Sequence, residues 1–448
     1  MSHVFHREPL RTPPTIVKGD GLYLIDSSGK RYLDASGGPA VACLGHSHPK
    51  VIAAIQRQAA EISYAYSLFF SSEPMEALAD LLIEDAPGDL DKAFFVCGGS
   101  EAVEAAMKLA RQYFLEIGQP KRSRFIARQQ SYHGNTLGAL ALGGNEVRRR
   151  PYEPMLVAQR HIPTCYAYRE KRPDEGEEAY GRRVADELES AILDLGPETV
   201  AAFLAEPVVG ATLGACPPVP GYLKRVRDIC DRYGVLLIFD EVLCGMGRTG
   251  TMYACAQDGV APDLLTMAKG LGGGYQPVGG VLVSRRIHDA IAKGSGVLRH
   301  GHTYWGHSLA CAAALAVQRT IREDDLLDNV RRQGARLQAA LRDRLGNHRH
   351  VGDIRGRGLM WALELVADRA SKAPFDPALR VFERIRRTAM EQGMVCYPSG
   401  GNVDGVRGDN VLLAPPYIVT AAEIDEIADR MGRAVDTVIA GLPSRAVE

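Results

Sequence analysis

A surplus of either charge is what this 448-residue chain lacks: 53 Lys and Arg stand against 54 Asp and Glu, a formal net charge of -1. So balanced a chain sets up no bulk field, which argues against nucleic acid or a membrane surface as a partner. No stretch approaches the ~18 consecutive apolar residues of a membrane span. The first residues, MSHVFHREPLRTPP, hold no apolar core of a secretory signal, so none is expected. The nine cysteines (43, 97, 165, 216, 230, 244, 255, 311 and 396) form no CxxC pair. Neither a zinc site nor a disulfide frame is therefore expected, and the reduced thiols of a cytoplasmic protein fit better. The pairs His46/His48 and His300/His302 lack an HExxH frame, so no metal is expected there. No G-x-G-x-x-G follows an early strand, which puts a dinucleotide-binding oxidoreductase far behind other readings. Internal repeats and low-complexity tracts are also missing.

What is present is the balance of a globular enzyme, 46% hydrophobic and 24% charged residues. The length suggests two or three subdomains. Residues 22–33 (LYLIDSSGKRYL) read as a hairpin, and Pro49–Glu61 as a helix. Ala93–Cys97, Val200–Ala205, Val235–Phe239 and Leu264–Met267 are short unbroken apolar runs. Such runs belong to strands buried on both faces, hence to a mainly parallel sheet under helices. A helix over Tyr222–Tyr233 should end at Gly234. Further on come a charged amphipathic helix near 325–345, a hairpin over Val351–Leu365, a helix near 376–392 and a glycine-rich loop over 398–410. The fold class is α/β. The expected division is an N-terminal segment 1–60 that joins a small α+β domain 325–448, with a large domain over 61–324 between them.

Three motifs carry chemistry. In GGSEAVEAAMKLAR, 98–111, a buried strand ends, two glycines turn the chain and a helix opens at Ser100, expected as its N-cap. Its first N–H groups and positive dipole end make a ready anion site, although an ordinary capped turn would read alike. In FDEVLCGMGRTG, 239–250, an apolar strand delivers Asp240 and Glu241 at its carboxyl end, where α/β folds place ligands. Unpaired acids are costly there, and capping of the next loop is the bland alternative. In TMAKGLGGG, 266–274, the lone Lys269 follows an apolar strand and precedes four glycines in five positions. A desolvated lysine has a lowered pKa and attacks carbonyls; a snorkelling edge lysine is the plainer reading. Together, a phosphate cradle, a strand-end acid and a lysine 29 residues later are the parts of a pyridoxal 5′-phosphate site.

On these residues the chain resembles the class III (subgroup II, omega-type) aminotransferases, from about residue 15 to 440. That family shares the aspartate aminotransferase-like fold, type I. The resemblance implies a cofactor-phosphate turn at Gly99-Ser100, and a ring-stacking Tyr132 followed by His133 and Gly134. It further implies Glu206-Pro207 after a buried strand, Asp240 at the pyridine nitrogen, Val242 on the opposite ring face and the Lys269 aldimine. Thr303, in HTYWGHSLACAAALA, would reach the phosphate of a neighbouring subunit, so a homodimer or dimer of dimers with shared sites is implied. Leu44 with Cys43, Phe69 within Ser67–Phe70, and Tyr132 would face the substrate. The implied reaction moves an amino group from an amine or ω-amino acid to a 2-oxo acid such as pyruvate, through pyridoxamine phosphate. Lys269 would be anchor and general acid/base, and Asp240 the electrostatic partner of the ring. Racemisation, intramolecular amino transfer and decarboxylation on the same scaffold are the alternatives within this chemistry, and a binding protein without activity is another.

The pattern is not followed everywhere. Leu243 stands where many relatives have Gln, Met246 where Phe is usual, and Val208-Val209-Gly210-Ala211 replaces a Gln-Gly-Glu-Gly. The mobile arginine that takes a substrate carboxylate in amine:pyruvate enzymes aligns nearer Tyr397. Arg407, the one cation in residues 400–410, is the expected substitute. The basic run Arg148–Arg150 reads as a solvated face, and His133 as an orienting residue rather than a base.

Overall fold

The computed structural model describes residues 2–443, so the last five residues of the expected 325–448 unit lie outside it. Near the N-terminus, β1 (Ile16–Asp20), β2 (Tyr23–Asp26) and β3 (Arg31–Asp34) form an antiparallel meander, its second turn the anticipated hairpin. Next come β4 (Leu90–Val96), β5 (Arg124–Arg128), β6 (Arg160–Ile162), β7 (Val200–Ala205), β8 (Leu236–Asp240), β9 (Leu264–Met267) and β10 (Gly279–Ser284). These build a seven-stranded sheet in the order β4-β10-β9-β8-β7-β5-β6, with only β10 running against its neighbours. The chain closes with β11 (Val351–Arg357), β12 (Met360–Leu365), β13 (Met394–Val395), β14 (Tyr397–Gly400) and β15 (Asp409–Leu413). Four of them form a third sheet, β11-β12-β15-β14, while β13 adds in parallel to β3.

Every residue of β7, β8, β9 and β10 is buried, as unbroken apolar strands between helical layers must be. The helix Gly99–Glu116 covers one side through Ala102, Ala105, Ala106, Leu109 and Ala110, whose small side chains let it lie close. The helices Pro49–Glu61, Tyr222–Tyr233 and Leu326–Leu345 form where periodicity places them, and Gly234 ends the second in a left-handed conformation (φ 62°). The helix expected near 376–392 starts only at Val381, behind a short 3-10 turn. The loop expected over 398–410 is shorter too, because its ends belong to β14 and β15. Among the described residues, no helix is long and apolar enough to cross a membrane.

The register of the large sheet fixes the site. Ala205 pairs with Phe239 and Asp240 with Thr266, so residues just beyond β7, β8 and β9 emerge side by side at one sheet edge. Beside them, β10 runs tight against the turn that opens the helix Gly99–Glu116: a Cβ on Gly279 would lie 2.7 Å from the carbonyl of Gly98. A Cβ on Gly98 itself would meet nothing within 4 Å. Gly279→Ala should therefore lower stability by about 1–3 kcal/mol, the usual cost of overpacking, while Gly98→Ala stays near wild type. Denaturant titration of both variants checks the difference, and equal stabilities would refute it.

Candidate active site

A cavity of about 530 Å³ opens at the carboxyl ends of the parallel strands, where ligands bind in such sheets. Gly99 and Ser100 reach it after β4, Tyr132 and His133 after β5, Glu206 after β7, Asp240 and Val242 at the end of β8, and Lys269 after β9. The fold thus brings together residues scattered over more than a third of the sequence.

Lys269 follows β9 by two residues and holds a left-handed backbone, φ 46°, which costs a non-glycine residue about 1–3 kcal/mol. The turn is clamped from outside: Gln318 Nε2 donates to the carbonyls of Gly270 and Leu271, both at 2.9 Å. Desolvation lowers the Lys269 amine from 10.5 to about 8, against the attraction of Asp240 and Glu206 and with a smaller push from Arg148. A usable fraction of free amine is thereby present near neutral pH.

Asp240 is almost fully buried, and each oxygen has a partner. Oδ2 lies 2.8 Å from His133 Nδ1, and Oδ1 accepts the Val242 N–H at 3.0 Å. The carboxylate fixes the imidazole through Nδ1, while His133 Nε2 has no hydrogen-bond partner among the described residues. Glu206 holds the next position: Oε1 accepts the Tyr132 N–H at 3.1 Å and Oε2 accepts from buried Arg128, also at 3.1 Å. Tyr132 is thus fixed through its backbone, with its ring at the cavity and the Arg148 guanidinium carbon 4.8 Å from the ring centroid. The second acid of the motif has a separate task. Glu241 accepts the N–H groups of Ala254 and Cys255 at 2.7 and 2.8 Å, and burial pushes its carboxyl up to about 7.

Ser100 is not the N-cap expected of it. The helix begins at Gly99, and Gly98, extended at φ -178°, takes the cap position with no side chain to offer. Ser100 Oγ instead accepts the Asn135 N–H at 3.0 Å and ties the turn to the Tyr132-His133-Gly134 segment. Glu101 folds back onto the Cys97 N–H at 2.8 Å. The first turn keeps uncapped N–H groups beside the cavity, and Gly99 packs so closely that a Cβ would come 2.9 Å from Val242 Cγ1.

Other expected residues lie elsewhere. Leu44 has no exposed surface; it belongs to the apolar core, and Pro39 and Val41 of the same segment reach the wall instead. Phe69 is 72% exposed, in edge contact with Tyr66 and Phe70, and does not line the cavity. Thr303 is exposed and away from the cavity, its carbonyl accepting the Tyr64 hydroxyl at 2.8 Å. Arg407 also stands outside the wall, exposed and paired with Asp404 at 2.6 Å, because the loop that carries it supplies its own counter-ion. The expectation for Arg407 is revised accordingly. The basic run is not uniformly solvated either: Arg148 lines the cavity, as does Arg7, neither of which was expected at the wall, and Tyr397 lines it too.

Residues 5–435 match the family model for the class-III aminotransferases. An uncharacterized aminotransferase of Schizosaccharomyces pombe is 45% identical, over 99% of this chain and 96% of that protein. A diaminobutyrate–2-oxoglutarate transaminase of Halomonas elongata is 36% identical, over 94% and 90%. Among solved structures, an omega transaminase from Pseudomonas jessenii in complex with PMP superposes with a TM-score of 0.92 at 35% identity, covering 98% of this chain and 96% of that one. A lysine and a carboxylate at adjacent strand ends, a likeness across the whole chain and a fold in common lead to one conclusion: the chain belongs to the class-III aminotransferases, enzymes that depend on pyridoxal 5′-phosphate.

Proposed function

We propose that this aminotransferase moves the amino group of an amine or ω-amino acid to a 2-oxo acid such as pyruvate. The observation that carries this reading is the division of the cavity wall. Gly210, Ala211, Thr212 and Leu243 make a side without charge, fit for the carbon skeleton of an amine. The cations at the wall besides Lys269 are Arg7 and Arg148, fit for a carboxylate. Two substrates of unlike charge in one pocket match that division.

The donor set fits the cofactor. Lys269 would anchor it, Asp240 would face the ring nitrogen, Tyr132 and Val242 would flank the ring, and the open N–H groups of Gly99 and Ser100 would meet the phosphate. When bound, pyridoxal phosphate supplies the electron sink that lets a proton leave the substrate carbon. Lys269 Nζ then takes and returns that proton, a task for which an amine near 8 is well placed. His133 Nδ1 and the Val242 amide hold both oxygens of Asp240 and so fix the carboxylate that would face the ring nitrogen. Glu206, through the Tyr132 N–H, keeps the stacking ring from drifting.

A second copy of the chain completes this picture. Thr303 is turned away from its own cavity, and Leu68, Phe69, Phe70 and Tyr304 expose 67, 72, 66 and 56% of their surface. An apolar surface of that kind favours association, which supports a homodimer or dimer of dimers with Thr303 serving the neighbour's phosphate. The β13–β3 pairing supports joining 1–60 to 325–448 as one small domain beside 61–324. Nine unpaired thiols support a cytoplasmic setting.

Lys269→Ala should abolish turnover and covalent retention of the cofactor with the circular dichroism spectrum intact; near-normal turnover would overturn the assignment. Asp240→Asn keeps shape but loses charge, so cofactor should still bind while the rate falls at least tenfold, the ~1.4 kcal/mol of one pKa unit of pairing. An unchanged rate at neutral pH removes Asp240 from the chemistry. For the shared site, subunits with Lys269→Ala are mixed with subunits carrying Thr303→Ala. Each heterodimer then has one site with both defects and one with neither, so activity recovers in part. No recovery after proven exchange assigns Thr303 to its own chain.

A further inference from the structure

We propose that Arg148 is the receptor for the carboxylate of the oxo acid, a specificity-determining residue held ready on the face of Tyr132. The inference rests on the transaminase reading above and names the group that makes it work with two kinds of substrate.

Arg148 lies on a short helical turn, Glu146–Arg149, that Asn145 caps by accepting the Arg148 N–H at 3.2 Å. The turn follows Tyr132 and His133 in the chain and folds back over them. It aims the half-buried Arg148 side chain into the cavity, with its guanidinium carbon 4.8 Å from the Tyr132 centroid. No carboxylate pairs with that guanidinium among the described residues, and its side chain makes no hydrogen bond there. Its neighbours differ. Arg149 reaches Glu153 at 3.3 Å and His161 at 3.4 Å, and Arg407 is committed to Asp404. Arg7 also lines the cavity, but it is exposed and stacks on no ring among the described residues. Arg148 is also near enough to Lys269 to act on its amine.

An arginine that must serve a charged acid and then an uncharged amine faces a difficulty. Buried and fixed, it would be an unpaired cation in every amine half-reaction, at several kcal/mol. Incomplete burial lowers that cost and stacking offsets part of the rest, because a cation over an aromatic face gains ~0.5–1 kcal/mol at exposed sites and about 2 when desolvated. The guanidinium, seated over the ring with no hydrogen bond of its own among the described residues, has its N–H groups free, so a carboxylate can dock in bidentate fashion. No loop has to swing. The ring that stacks on the cofactor in this reading would have its outer surface covered by the group that recognises the acid.

The test uses cofactor-loaded protein and single-turnover stopped flow on each half-reaction separately. Pyruvate probes the acid half and 1-phenylethylamine, which has no carboxylate, the amine half, in wild type, Arg148→Ala, Arg148→Lys, Arg407→Ala and Arg7→Ala. Arg148→Ala should lower the second-order rate constant with pyruvate at least tenfold, ~1.4 kcal/mol, and lower that of the amine half by a clearly smaller factor. Arg148→Lys should recover part of the loss, since it restores charge but not the fork. Propionate, a carboxylate that cannot react, should bind at least tenfold more weakly to Arg148→Ala in an absorbance titration. Equal losses in both half-reactions, unchanged propionate binding, or the selective loss arising in Arg407→Ala or Arg7→Ala instead would overturn the proposal. If wild type itself converts no donor, the transaminase reading fails, and propionate binding still decides whether Arg148 receives carboxylates.

Discussion

A carboxylate taken out of water costs several kcal/mol unless its oxygens are ligated and a positive charge stands near. The arrangement around Asp240 answers that requirement. His133 and the Val242 amide take its two oxygens, and Lys269 supplies the opposing charge from the next strand. Glu206, on the other side, is balanced in turn by Arg128. Because β5, β7, β8 and β9 are consecutive neighbours about 4.8 Å apart, the two acids stand side by side at the strand ends, flanked by Arg128 on one side and Lys269 on the other. Remove one and the others are left uncompensated, so the stability of this edge rests on all of these groups together.

Lys269 and Asp240 were legible in the sequence for that physical reason. A charged residue directly behind an unbroken apolar run is expensive without a partner, and expense points to function. The partners were less legible, since His133 is 107 residues from Asp240 and only the strand order makes them neighbours. Strand β10 escaped notice because it opens with Gly279-Gly280, which reads as a turn; the glycines are there to let the strand touch Gly98. Ser100 looks like a cap by type and position, and only the extended backbone of Gly98 moves the cap two positions earlier. Arg148 could not be told from Arg149 and Arg150 by sequence. Three consecutive arginines look alike until a one-turn helix sends one toward Tyr132 and the next toward Glu153.

The departures from the family pattern are physically linked. A Cβ at position 210 would lie 2.9 Å from Leu243 Cδ1. An aliphatic residue at 243 therefore goes together with a residue at 210 that has no side chain. Together the two residues give this side of the cavity a smooth wall without charge. The smooth wall and the stacked arginine are complementary, one indifferent to charge and the other dependent on it.

The helix Ser308–Glu323 has a further consequence. Its N-cap is His307, at the end of the segment that carries Thr303, and about 15 Å along its axis Gln318 grips the carbonyls behind Lys269. One rigid strut thus joins the surface of the subunit to the turn that aims the reactive amine. A helix is stiff along its axis, so whatever displaces the outer end also displaces the carbonyls behind Lys269 at the inner one.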